Sequence, residues 1–275
     1  RSRATTSLRA PAGTKRLARA PSRATRSGAA ALPRGTVAQP TDANITADTP
    51  RRYRVFFMVA NTTAPTGEGL QPRRRFVLVG GRALASGDYR LDDLPGTSGR
   101  FDALLRGVRT GLLVSHGVRR DTVLYLVLLG GERAPRCLRF RGDTAKFLRP
   151  DERSLAVLAQ KSLRAVAEGE GFVSVRPGVD VCTGGLDAAL DDAGEGPLFA
   201  LDAAGDDLRD PTVTLASGGV FVVGDPQGFD ADTWASLDAR GARRLSLGPV
   251  QVHGEDALTL VHNELDRRAV RPQPF

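Results

Sequence analysis

The chain reads as an α/β protein, a mostly parallel sheet with helices on both faces. Three features predict this. Short apolar runs recur at 76–79, 123–129, 198–201, 220–223 and 245–247. They are too continuous to leave one face in water, so each reads as a strand covered on both sides. Between them lie segments with apolar residues at i, i+3, i+4 and i+7, the stripe a helix lays against a sheet. Glycine-bearing loops follow several of the runs, as expected beyond the carboxyl ends of parallel strands.

Ahead of this pattern, residues 1–50 are rich in Arg, Ala, Ser, Thr and Pro, with no sustained apolar period. Such a segment buries too little surface to offset its ordering entropy, and we expect it to be disordered. It resembles an organelle transit peptide or an RNA-binding arm; upstream sequence ahead of a misplaced start is the favoured, blander reading. It holds nine basic residues against Asp42 and Asp48, most of the chain's net charge of +8. Bulk charge therefore does not make the folded body a polyanion binder. Residues 51–73 read as a linker or a marginal strand at 55–60, residues 74–268 as one domain, and 269–275 as a tail.

Within the domain, the strand at 76–79 ends at Gly80-Gly81, and 92–100 (DDLPGTSGR) is turn chemistry. Phe101, Leu104, Leu105, Val108 and Leu112 then share one helical face, with Ser98 as its cap. The run at 123–129 predicts a central strand, and 137–140 a further short one. A helix starts at Pro150-Asp151, where proline is favoured, with Leu155, Leu158, Ala159, Ser162 and Val166 inward. Residues 186–190 suggest a short helix, 230–239 another carrying Trp234, and both 198–201 and 220–223 are strands. Three loops, 202–205, 224–228 and 248–254, follow consecutive strands and could converge on one site.

The last segment, 243–268, organises the domain. A short apolar run breaks at Gly248-Pro249, turns at His253-Gly254, and becomes an amphipathic helix with Leu258, Val261 and Leu265 on one face. Glu255 or Asp256 is placed to cap that helix near its positive end.

Several chemistries are missing from the sequence. It contains no GxGxxG after a strand, no P-loop and no GxSxG. His116, His253, His262, Cys137 and Cys182 have no metal-ligand spacing, so we expect no metal. Two cysteines are too few for a disulfide framework, which points to a reduced, cytoplasmic setting. No apolar run approaches about 18 residues, so no membrane span is expected. His262 and Asp266, at i and i+4, read as a structural hydrogen-bonded pair.

Four segments together carry a resemblance: LDDLPGTSGRFDALLR (91–106) with SHGVRRD (115–121), PDERS (150–154), VFVVGD (220–225), and LSLGPVQVHGEDALTLVHNELDR (245–267). They resemble the archaeal tRNA pseudouridine-54 N1-methyltransferase family and its bacterial relatives, in the SPOUT class of S-adenosylmethionine-dependent enzymes. The resemblance implies a C-terminal trefoil knot, a homodimer, and methyl transfer from S-adenosylmethionine to N1 of pseudouridine, in tRNA first of all. Ribosomal RNA or another pseudouridine-like substrate, or a catalytically idle RNA-binding dimer, stay open as alternatives. It further implies a donor pocket lined by Leu201, Gly224, Leu247, Gly248, Pro249, Val250, Gln251, Val252 and Ala257. Arg100, Arg106, Ser115, His116 and Arg119 would lie near the target base and face the partner subunit. Asp102 or Asp225 is the candidate base or orienting carboxylate. The chain departs from the family pattern at Glu255-Asp256-Ala257, at Gly107 where Cys is usual, and at Pro226 where His is.

Overall fold

A computed structural model describes residues 74–165, 171–215 and 219–269. The expectations for 1–73, for Val166 and for the end of the tail lie outside the described residues.

The chain enters on β1 (Arg74–Leu84), whose backbone joins the sheet between two parallel partners. A single helical turn, α1 (Leu94–Thr97), follows, with Asp93 accepting from Gly96 N and proline in the first turn. It leads to the long α2 (Phe101–Leu112). A two-stranded ribbon, β2 (Leu113–Val114) and β3 (Gly117–Val118), connects α2 to β4 (Thr122–Gly130) and β5 (Arg136–Arg141). Then come α3 (Glu152–Ala165), a hairpin of β6 (Val173–Arg176) and β7 (Val179–Cys182), and α4 (Leu186–Ala193). The chain closes with β8 (Leu198–Asp207), β9 (Gly219–Gly224), α5 (Ala231–Ala239), β10 (Arg243–Ser246) and α6 (Gly254–Ala269).

The main sheet has the order β10-β8-β9-β1-β4-β5-β7-β6. From β10 to β4 every neighbour is parallel; from β4 to β6 every neighbour is antiparallel. The sheet is thus less uniformly parallel than the alternation of elements implied. The β6–β7 hairpin, folded at Pro177-Gly178, takes part in two of the three antiparallel pairings. Its strands are only four residues each, a length at which period-2 patterning is faint.

Side-chain alternation along the central strands splits the core into two layers. Phe76, Leu78, Leu124, Leu126 and Phe140 face α2, α3 and α6. Val77, Val79, Val123, Tyr125 and Val127 face α4 and α5. On the first face Phe199, Phe221 and Phe76 stand opposite one another on β8, β9 and β1, with ring centroids 5.2 and 5.6 Å apart. The His262 ring of α6 continues the row, 4.7 Å from Phe76. Burying each phenyl contributes about 1.5–3 kcal/mol, so this row is a principal reason that α6 lies where it does.

Several local expectations change. Gly80-Gly81 does not end β1, which runs on to pair Leu84 with Gly130 after a register shift. The 92–100 stretch is not turn alone, because α1 forms within it. Arg100, not Ser98, occupies the cap position of α2, although the Ser98 hydroxyl accepts from Phe101 N at 3.1 Å. Residues 202–205 are not a loop after β8 but a bulge inside it. Arg244 pairs with Ala200 and the next residue, Leu245, with Asp206, so five residues of β8 stand out of register. Glu255 and Asp256 lie inside the first turn of α6 rather than capping it. The helix expected from Pro150-Asp151 begins at Glu152, just after Asp151, whose carboxylate accepts from Ser154 N at 2.8 Å.

Candidate functional site

Three chain segments meet: the bulge within β8, the 225–228 turn beyond β9, and residues 247–254 beyond β10. With the start of α2 and Trp234 of α5 they enclose a cavity of about 940 Å³. This lies within the usual range for a small-molecule site. Of the nine residues expected in the pocket, Leu201, Gly224, Leu247, Gly248, Val250, Gln251, Val252 and Ala257 line it; Pro249 does not. The 225–228 turn is tight. A side chain on Gly224 would place its Cβ 3.0–3.1 Å from the Gly228 backbone, so glycine lets the two segments approach without a shift of the turn.

The turn is pinned by Asp225. One carboxylate oxygen accepts from Gly81 N at 3.0 Å and the other from Gln227 N at 2.8 Å. Both oxygens of this candidate base therefore hold backbone in place. On the opposite wall Arg244 lies 4.1 Å over the Trp234 ring and reaches Asp202 at 3.2 Å. The sequence points to Asp202 through the 202–205 segment, but not to Trp234 or Arg244. The one tryptophan of the chain, followed at a distance by a strand-end arginine, was the available signal.

A charged cluster closes the α2 side. Gly99 and Arg100 are consecutive left-handed residues, φ +64° and +67°. A Cβ on Gly99 would lie 1.8 Å from Arg82 O, and the turn it permits aims Arg100 back over α2. Arg100 reaches Asp102 through two contacts, Nε to Oδ1 at 3.1 Å and Nη2 to Oδ2 at 3.2 Å. Arg106 Nη1 donates to Asp102 Oδ2 at 2.9 Å. Asp102 is 1% exposed, and both its oxygens are engaged by guanidiniums. It fixes two arginines from a position shielded from water. Arg100 and Arg106 line the cavity.

Arg106 also donates from Nε to Glu255 Oε1 at 2.7 Å and approaches Glu152 at 3.4 Å. Burial works against its charge, but hydrogen bonds to Glu255 and Asp102 hold its pKa well above the usual guanidinium value. Burial likewise opposes ionisation of Glu255, yet backbone N–H groups and Arg106 hold its carboxyl below the usual range. Glu255, which the sequence offers as a helix cap and as part of the 255–257 departure from the family pattern, lines the cavity.

The remaining expected residues lie elsewhere in this chain. Ser115 and His116 form the exposed tip between β2 and β3. Arg119 pairs with Asp266 at 2.9 Å on α6. There Arg74 stands between His262 and Asp266, 3.0 Å from His262 Nδ1 and 2.6 Å from Asp266 Oδ1. His262 Nε2 lies 2.9 Å from Gly111 O and donates to it, leaving Nδ1 to accept from Arg74. Burial first, then the Arg119 and Arg74 charges, push the His262 pKa down to about 3. The pair is structural as expected, but it is joined through an arginine. Among the described residues no helix is long and apolar enough to cross a membrane, and no cluster of three or more His, Cys, Asp or Glu could hold a metal ion.

Fold and cavity define an α/β protein with a ligand cleft where consecutive parallel strands end, walled by apolar side chains, glycine backbone and arginines. Its chain path is shared with the crystal structure of Archaeoglobus fulgidus Nep1 bound to S-adenosylhomocysteine. That match has a TM-score of 0.50 at 14% identity and covers 72% of this chain and 99% of that one. Residues 73–270 match the family described as "Putative SAM-dependent RNA methyltransferase". The tRNA (pseudouridine(54)-N(1))-methyltransferase of Methanococcoides burtonii is 37% identical, covering 70% of this chain and 96% of that protein. The Methanosarcina mazei protein of the same name is 39% identical, covering 70% and 91%. The chain belongs to this family of S-adenosylmethionine-dependent RNA methyltransferases.

Proposed function

We propose that the protein methylates N1 of pseudouridine in RNA, at position 54 of tRNA, with S-adenosylmethionine as donor. One observation carries the site assignment: the β8 bulge and the segments after β9 and β10 wall a single cavity that the cluster on α2 also reaches. The names and coverage of the archaeal relatives support the substrate.

The cavity suits the donor. Gly224 leaves room for close backbone approach, Leu201, Leu247 and Ala257 offer apolar walls, and Val250 and Val252, exposed as the chain stands, await an apolar group. Bound there, S-adenosylmethionine supplies an electrophilic methyl on its sulfonium. The protein's part is to bind, orient and exclude water. Arg100 and Arg106 lie across the cavity from the Gly248 segment and carry the donors that a base or phosphate needs. The N1 proton is imide-like, so positioning with mild assistance suffices.

Three further assignments belong to this reading. Residues 74–268 form one SPOUT-like domain, and the closing segment from β10 to α6 is the threaded part of a trefoil knot. The protein acts as a homodimer, in which Ser115, His116 and Arg119 of one subunit approach the cavity of its partner. It works in the cytoplasm.

The test is methylation of a pseudouridine-containing tRNA by the purified protein, read by nucleoside mass spectrometry and oligonucleotide mapping. N1-methylpseudouridine at position 54 is expected. Product in ribosomal RNA alone moves the substrate, and donor binding without methylation of either RNA overturns the reading.

A further inference from the structure

The surroundings of Glu255 give it a task. The side chain lines the cavity and is 21% exposed, with Oε1 fixed by Arg106 Nε at 2.7 Å. Among the described residues no other side chain donates to Glu255 Oε2, and Arg106 Nη2 makes no hydrogen bond to a side chain. The guanidinium itself cannot swing away. Asp102, almost wholly buried, holds Nη1 at 2.9 Å, and Glu152 stands 3.4 Å from the same nitrogen. The cavity wall thus presents an ionised acceptor beside a fixed cationic donor, each with capacity left.

A uracil ring has the complementary edge: an N–H flanked by a carbonyl. Pseudouridine has two such N–H groups, at N1 and N3. A methyl group must reach N1 in the ring plane, along the line of its N–H bond. A carboxylate seated on N1–H would stand in that path, whereas one seated on N3–H leaves it open.

We infer that Glu255 and Arg106 read the imide edge of the target base: Glu255 Oε2 accepts from N3–H, and Arg106 Nη2 donates to the adjoining carbonyl. This rests on the methyltransferase reading above. Glu255 is then a substrate-orienting residue and Asp102 and Glu152 position Arg106 behind it. The same carbonyl contact stabilises the negative charge that spreads onto the ring as the N1 proton leaves. Uridine shares the N3 edge, so the pair orients the base, and selection of pseudouridine falls to groups near N1.

The test compares wild type with Glu255→Ala and Glu255→Gln on two synthetic T-arm RNAs. One carries pseudouridine and the other N3-methylpseudouridine at the target position; S-adenosylmethionine affinity is measured separately by calorimetry. Wild type should lose roughly 10- to 100-fold in kcat/KM on the N3-methylated RNA, the scale of one paired base-edge contact. Glu255→Ala should fall by a similar factor on the pseudouridine RNA and no longer distinguish the two RNAs. Its donor affinity should stay within about threefold, which also reports an intact cavity. Glu255→Gln should fall between the two, since its amide oxygen still accepts but is no longer charged. Loss of donor affinity in both variants would make Glu255 part of the donor wall and overturn the inference. So would a Glu255→Ala enzyme that still discriminates against N3-methylation. A wild type that binds donor but methylates neither RNA overturns the substrate reading itself, a failure visible without any variant.

Discussion

Arg106 Nε stands 2.7 Å from Glu255 Oε1, across 149 positions of sequence, and this contact ties the middle of α2 to the first turn of α6. Two helices packed on the same face of the sheet are coupled there by charge. Behind it Asp102 is sealed from water and relies on Arg100 and Arg106 for its hydrogen bonds.

Replacing Arg106 with Met should therefore cost stability as well as activity. Breaking a buried ion pair leaves a charge uncompensated, at about 3–5 kcal/mol, but Arg100 remains on Asp102 and moderates the loss to roughly 2 kcal/mol. For a domain of this size the melting temperature should fall by about 4–8 °C in calorimetry. A variant as stable as wild type would show that Asp102 needs only Arg100.

His262 makes stability depend on pH. Its folded pKa, about 3, lies below the ordinary 6.5, so below pH 6.5 the unfolded chain takes up a proton that the folded chain refuses. Stability from this group is complete above pH 6.5 and declines as pH falls toward 3. Between pH 7 and pH 5 urea titrations should record a loss of about 2 kcal/mol. In His262→Gln that portion of the slope should vanish; an unchanged slope would place the linkage elsewhere.

Gly107 makes room for Leu78. A Cβ at 107 would lie 2.2 Å from Leu78 Cδ2, and Leu78 also lines the cavity. Gly107→Ala should destabilise the fold by about 1–3 kcal/mol through overpacking, despite the better helix propensity of alanine. Leu78→Val should recover much of that loss, giving a positive coupling in a double-mutant denaturation cycle.

Gly224→Val should abolish S-adenosylmethionine binding in calorimetry, because its Cβ alone comes within 3.0–3.1 Å of the Gly228 backbone and the bulkier branched side chain disturbs this wall. The far-UV circular dichroism should remain that of wild type, since β9 keeps its pairing with β1 and β8 through 219–223. Donor affinity within about tenfold of wild type would displace the donor from this wall.

By itself the sequence determined the elements and their kind. Apolar runs such as 123–129 and the stripe of α2 are local patterns, and burial requires them wherever the chain goes. It also marked the convergent segments at Gly224 and at 247–254, because strand ends followed by glycine are local too, and its motifs located the family. Only the tertiary structure decided which charges meet. Glu255 looked like a cap for its own helix and instead bonds Arg106; His262 and Asp266 looked like partners and instead share Arg74 from the first strand. The bulge that turns Asp202 into the cavity depends on β10 pairing out of step with β8. Such pairings join residues far apart in the chain, and each exposed ion pair is worth only about 0–1 kcal/mol. That is too little to leave a sequence pattern, and enough to fix a side chain once packing has brought its partner within reach.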